Sequence, residues 1–284
     1  MHTTASDGRL SPAELVARVA AAGLTTISVT DHDTVAAIDS VTAEAAPLGI
    51  RVIPGIEVTA VDNHRDVHML AYFIDPANEP LAQLLVKQRA LRVTRVTEIA
   101  DRLATLHVPV DVDNLLLMAA AHPGSSVGRP QLARELVRAG HVQSVQEAFD
   151  KWLATGKPGF VPRTGPSPFD VVDTIHAAGG IASFAHPGVT NRDDLIALLV
   201  DRGLDAIEVY HSDHTPEQVM GYKGLAMRHN LLVSGGSDFH GDDPLKAGER
   251  SHRSTLGVVT LPPEALAALE ARARGRAGIT RSQA

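Results

Sequence analysis

The stretch Thr26-Ile27-Ser28-Val29-Thr30-Asp31-His32-Asp33 reads as a short β-branched strand that stops on three ionisable residues. Ile, Val and Thr suit a pleated, half-buried surface, whereas Asp does not. The strand therefore delivers two carboxylates and an imidazole to whatever lies beyond its end. Just upstream, Ser11-Pro12-Ala13-Glu14 reads as a helix start. Ser11 is the N-cap, Pro12 fits the first helical position, and Glu14 closes a capping box. Leu15, Val16 and Val19 continue as an apolar stripe, which Gly23 ends.

This unit of helix, strand and ionisable ending recurs. A helix over 34–46 leads to a strand over 51–56 that stops at Glu57, and His68 lies within an apolar strand over 67–73. A helix over 168–178 precedes a strand over 181–185 that reaches His186-Pro187. The pair 193–202 and 205–210 ends at His211. Thr215-Pro216 caps a helix to 229, and the strand 231–234 runs into Gly235-Gly236-Ser237-Asp238-Phe239-His240. A last strand over 256–260 precedes a helix over 263–274.

Strands alternating with helices predict an α/β protein with a parallel sheet. Ionisable residues just past the strands favour a (β/α) barrel, which places its site there. An open Rossmann-like sheet is the rival, but no GxGxxG follows any strand. One stretch breaks the rhythm, because 75–166 is mostly helical, with helices expected at 81–106, 113–118, 130–139 and 145–153. It reads as a helical insertion over the mouth of a barrel made by 1–74 and 167–276, with 277–284 as a disordered tail.

The bulk numbers exclude several classes. At 284 residues, 44% hydrophobic and 21% charged, the chain can bury a sizeable core. No apolar run approaches the ~18 residues that cross a bilayer, and no basic-then-apolar leader is visible, so the cytoplasm is the expected compartment. With no cysteine, any metal has only nitrogen and oxygen ligands. A net charge of −7 argues against stable DNA binding, though it leaves room for a local basic pocket.

Each ionisable strand end also has a plain structural reading. Asp31-His32-Asp33 and Ser237-Asp238 could cap helices, Glu57 could be a solvated loop carboxylate, His68 could be packed, and His186-Pro187 could be a turn. Their convergence at one end of a barrel favours a metal site instead. Imidazole and carboxylate suit Zn²⁺, Mn²⁺ or Fe²⁺, and a carboxylate such as Glu57 can bridge two ions. A pair of metals can activate water and clamp the oxygens of a phosphoryl transfer.

Met1-His2 with Ser6-Asp7-Gly8, Thr30-Asp31-His32-Asp33, Gly55-Ile56-Glu57, His68, Phe184-Ala185-His186-Pro187 and Ser237-Asp238-Phe239-His240 together resemble the PHP (polymerase and histidinol phosphatase) family. The resemblance runs from the first residue to about Thr260. It implies a distorted (β/α)7 barrel holding two or three divalent ions, Mn²⁺ foremost and Fe²⁺ or Zn²⁺ as alternatives. Carried over motif by motif, the ligands would be His2, Asp7, His32, Glu57, His68, His186, Asp238 and His240. The resemblance places Asp238 and His211 in catalytic positions, His211 as ligand or proton donor. It also implies an opening strand ending in His-x-His, of which only His2 is present here.

Within the insertion, Ser126-Val127-Gly128-Arg129-Pro130 and Gly156-Lys157-Pro158-Gly159-Phe160-Val161-Pro162 resemble the branch that removes the 3′-phosphate from nucleoside 3′,5′-bisphosphates and trims short RNA from its 5′ end. Arg129 would offer a fork to the second phosphate and Lys157 a point charge. Gln131 stands where this branch often has His; its amide could hydrogen-bond a phosphate but carries no charge. The expected partner is a small phosphorylated substrate, a nucleotide or short RNA, with no membrane. Histidinol-phosphate phosphatase is the alternative enzyme, and a non-catalytic PHP-like metal-binding or interaction domain the alternative of another class.

Overall fold

The structure, a computed structural model, describes residues 1–122, 124–241 and 255–282, with side chains as far as 276. Six strands form one mixed sheet curled into a half-barrel: β1 (Thr26–Val29), β2 (Arg51–Asp62), β3 (Arg65–Tyr72), β4 (Ile181–Phe184), β5 (Ala206–His211) and β6 (Leu232–Gly236). Their spatial order is the chain order. Around them run α1 (Pro12–Ala21) and α2 (Ile38–Ala45), then α3 (Glu79–Thr105), α4 (Asp113–Ala121), α5 (Arg129–Arg138) and α6 (Val145–Ala148). The chain returns to the sheet with α7 (Pro168–Ala177), α8 (Pro187–Thr190), α9 (Asp194–Asp201), α10 (Pro216–Arg228) and α11 (Pro263–Ser282). No helix among the described residues is long and apolar enough to cross a membrane.

Two expectations about the sheet are corrected. β3 runs antiparallel to both β2 and β4, so the sheet is not wholly parallel. The cause is a two-residue hairpin: β2 continues past Glu57 to Asp62, and Asn63 and His64 take left-handed φ values of 48° and 62°. That conformation joins antiparallel strands with their natural twist. The strand expected at 256–260 is instead turn and bend, with Gly257 at φ 81° and Val258 64% exposed. At the other end, α11 continues through Ser282, so the stretch expected as a disordered tail is helical that far.

The helices begin for the expected reasons. Ser11 and Glu14 form the capping box of α1, while Ser167 with Asp170 and Thr215 with Gln218 do the same for α7 and α10. Their apolar faces close over the sheet. Ile56, Val58, Met69, Phe184, Ile207 and Val209 from the strands meet Val171, Ile175 and Leu199 from the helices, all fully buried. Each such side chain contributes about 1.5–3 kcal/mol. A second core, built from Val96, Ile99, Leu103, Leu132, Leu136 and Leu153, belongs to the helical stretch. α3 joins the two, giving Leu81 and Leu85 to the first and Val96, Ile99 and Leu103 to the second.

The outer strands β1 and β6 are bridged at one end by the first two residues. Thr30 N–H donates to the Met1 carbonyl at 2.9 Å, and His2 N–H donates to the Phe239 carbonyl at 2.8 Å. Below this bridge, residues of both outer strands line a cavity of about 410 Å³ that also meets Tyr72 and Glu208. His2 is thereby fixed on the axis of the sheet, directly over the strand ends.

A candidate metal centre beside an arginine pocket

The strand ends are stitched together by backbone before any side chain is considered. Asp33 N–H donates to the Glu57 carbonyl at 3.0 Å, and Glu57 N–H donates to the Asp31 carbonyl at 3.3 Å. Asp31 turns away from the centre: its buried carboxylate accepts Thr3 N–H at 2.7 Å, Thr3 Oγ1 at 2.7 Å and Ser6 Oγ at 2.5 Å. It therefore anchors the segment carrying His2 and Asp7.

Glu57 sits at the middle. One carboxylate oxygen meets His68 Nδ1 at 2.7 Å and His186 Nε2 at 3.1 Å; the other meets His2 Nε2 at 3.2 Å and His32 Nδ1 at 3.6 Å. Asp238 lies 3.0 Å from His2 Nε2 and 3.6 Å from His211 Nε2. Asp7 lies 3.3 Å from His240 Nε2 and 3.7 Å from His32 Nε2. Three overlapping sets result, each with donor atoms within 4.8 Å of one another: His2, Asp7, His32 and His240; His32, Glu57 and His68; His2, Glu57 and Asp238. His186 joins at the edge, its Nε2 3.3 Å from His68 Nδ1. All eight residues expected as ligands thus converge, and His211 lies beside them.

The donor set fits divalent cations. His32 Nδ1 and His211 Nε2 are buried without a hydrogen-bond partner, and the nitrogens of His68 and His186 are aimed at one carboxylate oxygen. Electrostatics agree. Burial opposes ionisation of Asp7 and Glu57, but the surrounding imidazoles, His240 and His32 for Asp7 and His32 and His68 for Glu57, hold both well below the usual carboxylate range. Burial pushes His32 down to about 3, against the pull of Glu57 and Asp7. Burial also opposes charge on His2, yet bonds to Asp238 and Glu57 prevail and raise it to about 10. Backbone strain is present here as well: Asp33, His186 and Asp238 have φ values of 52°, 27° and 48°. Glu208, buried on β5, accepts His186 N–H at 2.8 Å and so holds one of these strained residues.

A separate pocket of about 100 Å³ opens beside the cluster. Asp7, His32 and His68 form one side; Arg92, Arg95, Arg129 and Arg163 form another, with Asp66 among them. Arg129, expected to contact substrate, is thus one of the residues lining this pocket. Lys157 is exposed and does not line the pocket, whose positive charge comes from arginines. Gln131 is also not free for a ligand. Its Oε1 accepts Gly128 N–H at 2.9 Å, and its Nε2 donates to the carbonyls of Ser6 at 2.6 Å and Ser126 at 3.3 Å. It ties the start of α5 to the ligand-bearing N-terminal segment.

Arg92, Arg95, Arg163, Asp66 and Glu208 were not singled out by the sequence reading. A signal existed for the α3 residues. Leu81, Leu85, Gln88, Arg92, Arg95, Val96, Ile99 and Leu103 form one buried stripe. Polar groups inside an amphipathic helix's apolar stripe are anomalous and need buried partners. Those partners are Asp33 for Arg92 and Asp66 for Arg95.

Comparison with known proteins gives the same direction. Residues 1–157 match the family model of the PHP domain. The 5′-3′ exoribonuclease Rnm of Salmonella typhimurium is 36% identical over 246 residues, covering 84% of this chain and 83% of that protein. The 3′,5′-nucleoside bisphosphate phosphatase of Chromobacterium violaceum is 34% identical over 247 residues, covering 84% and 85%. A solved structure from Bifidobacterium adolescentis, described as a metal-dependent phosphoesterase, aligns with a TM-score of 0.84 at 32% identity over 95% of this chain and 94% of that one. By its sheet, its histidine–carboxylate cluster and these likenesses, the chain belongs to the PHP-domain family and is a hydrolase of the metal-dependent phosphoesterase kind.

Proposed function

We propose that this hydrolase removes the 3′-phosphate of nucleoside 3′,5′-bisphosphates, yielding the 5′-monophosphate and inorganic phosphate, and acts in the same way on short RNA from the 5′ end. The observation that carries this reading is the arginine pocket adjoining the His/Asp/Glu cluster. A substrate with two phosphates has one for each place. Arg92 is paired with Asp33, but Arg95, Arg129 and Arg163 share the single carboxylate of Asp66, a surplus of positive charge that a simple monophosphate such as histidinol phosphate would not use. The names of the Salmonella and Chromobacterium relatives, one an exoribonuclease and one a bisphosphate phosphatase, agree with it.

In this reading His2, Asp7, His32, Glu57, His68, His186, Asp238 and His240 would hold two or three divalent cations; Glu57 belongs to two of the candidate sets. A donor set of imidazole and carboxylate suits Mn²⁺, Fe²⁺ or Zn²⁺. When bound, such ions supply Lewis acidity that activates water and neutralises charge on the phosphoryl oxygens. The remaining work belongs to the chain. Arg129, Arg95 and Arg163 grip the 5′-phosphate, and their binding energy positions the 3′-phosphorus for in-line attack. His211, whose Nε2 is buried and 3.6 Å from Asp238, is placed to deliver a proton to the departing ribose 3′-oxygen. The helical segment 75–166 brings the pocket's arginines beside the cluster.

The test is phosphate release from adenosine 3′,5′-bisphosphate, AMP and histidinol phosphate with Mn²⁺ present. The bisphosphate should be preferred by kcat/KM at least tenfold, Asp238→Ala should abolish turnover, and Arg129→Ala should raise KM. Equal rates on all three substrates, or an Arg129→Ala variant indistinguishable from the parent, would refute the two-phosphate reading.

A further inference from the structure

Asp66 is the unexpected member of the pocket, because a carboxylate repels the phosphate the arginines would bind. It sits on β3 two residues before His68, and its Oδ2 accepts Arg129 Nη2–H at 2.9 Å and lies 3.5 Å from Arg95 Nη1. Its Oδ1 is 3.8 Å from Arg163 Nε. Arg92 is committed elsewhere: its Nε pairs with the fully buried Asp33 at 2.5 Å, and its Nη2 donates to Thr59 Oγ1 at 2.9 Å. Three guanidinium groups therefore share one carboxylate, and two positive charges on this wall remain uncompensated by it. Arg95 Nη2 is buried with no hydrogen-bond partner, a donor awaiting an acceptor.

We propose that Asp66 is a specificity-determining residue that trims the arginine pocket to two surplus charges, matching a terminal phosphate monoester dianion and disfavouring a polyphosphate end. The inference rests on the pocket taking the second phosphate. With Asp66 present, the wall neutralises a dianion; a diphosphate brings a further negative charge with no counterpart. Removing the carboxylate's charge supplies that counterpart. At about 6 Å and an effective dielectric constant between about 20 and 80, the extra attraction favours the higher-charged ligand roughly 3- to 100-fold, near tenfold at a dielectric constant of about 40.

The experiment is calorimetric titration of AMP and of ADP into the metal-loaded parent, Asp66→Asn, Arg95→Gln and the double variant. The ratio of the AMP Kd to the ADP Kd should rise about tenfold in Asp66→Asn and fall by a similar factor in Arg95→Gln. In the double variant, where the charge is restored, it should return to within threefold of the parent. Arg95→Gln gives an answer even if Asp66→Asn does not fold, because a fixed ratio in that variant already overturns the charge-matching role. So does an unchanged ratio in a folded Asp66→Asn variant. Arg129→Ala separates the two levels. If AMP binding ignores that substitution, the pocket reading falls and Asp66's role with it. Binding that needs Arg129 but shows a charge preference blind to Asp66 removes only the role of Asp66.

Discussion

Replacing Asp33 with Asn should damage the protein more than any other single-atom change of charge. Its side chain is fully buried, accepts Thr59 N–H at 2.7 Å and Arg92 Nε–H at 2.5 Å, and lies 3.8 Å from Arg163. Arg92 is itself only 8% exposed. Asparagine keeps the shape and can still accept from Thr59, but its NH2 then faces Arg92 Nε–H, so the charge and the hydrogen bond to Arg92 are lost together. A buried ion pair broken on one side leaves an uncompensated charge and costs about 3–5 kcal/mol. Against a total stability of about 5–15 kcal/mol this is a large fraction. With a urea slope of about 3 kcal/mol/M, the unfolding midpoint of the metal-loaded protein should fall by about 1–2 M. The double variant Asp33→Asn/Arg92→Met removes the stranded cation and should recover at least half of the loss. A single variant within about 1 kcal/mol of the parent, or a double variant no better than Asp33→Asn, would refute the argument that an unpaired Arg92 is the cause.

Further expectations concern the rim, the metal centre and α11. Arg129→Ala should raise KM for adenosine 3′,5′-bisphosphate by at least tenfold, whereas Lys157→Ala, at an exposed position outside the pocket, should leave it within twofold; steady-state kinetics decide. Because the metal-free site holds His2 protonated up to about pH 10, divalent metal should displace that proton on binding. Calorimetry of Mn²⁺ binding at pH 7.5 in two buffers of different ionisation enthalpy should show about one proton released, and chelation should abolish turnover. Asp205 accepts from His176 Nε2 at 2.9 Å, Ala182 N–H at 3.1 Å, Arg272 at 3.1 Å and Arg276 at 2.6 Å, so Asp205→Asn should cost about 1.5–3 kcal/mol by thermal melting. Burial opposes its ionisation, but His176 and Arg276 hold its carboxyl below the ordinary value of 3.8. The contribution is thus complete above that pH and lost as pH falls through the lowered value, so parent and variant melting curves should converge in acid.

Much of the site was legible because an apolar or β-branched run meets His, Asp or Glu at Asp31-His32-Asp33, Glu57, His186 and Asp238, although β2 passes through Glu57 instead of ending there. Among the described residues, His2, Asp7, His32, Glu57, His68, Asp238 and His240 gather into sets that could hold a metal ion, and His186 adjoins them. The reading failed where chemistry depends on pairs distant in sequence. Lys157 looked like an anion ligand beside a proline turn, but nothing local shows that its side chain faces solvent. Gln131 looked free, and only the fold shows both ends of its amide engaged by Gly128, Ser6 and Ser126. β3 was expected to run with its neighbours because Asn63-His64 does not resemble the Asn-Gly turn that usually marks a tight hairpin. The arginine wall escaped notice because its partners Asp33 and Asp66 lie 59 and 29 positions from Arg92 and Arg95.

α3 has a consequence for how this chain can vary in length. Its first half is keyed to the sheet by Leu81 and Leu85, and its second half presents Arg92 and Arg95 to the pocket. Helix geometry makes the two halves a single gear: losing or gaining one residue between Leu85 and Arg92 turns everything beyond by about 100°. Both guanidinium groups would then point away from Asp33 and Asp66. A gain of seven residues would nearly restore the facing but carry the arginines about 10 Å farther along the axis. Length changes should therefore be excluded from this helix and confined to connectors such as 106–112, which follows it, where the chain can absorb extra residues without changing the angular phase of the site.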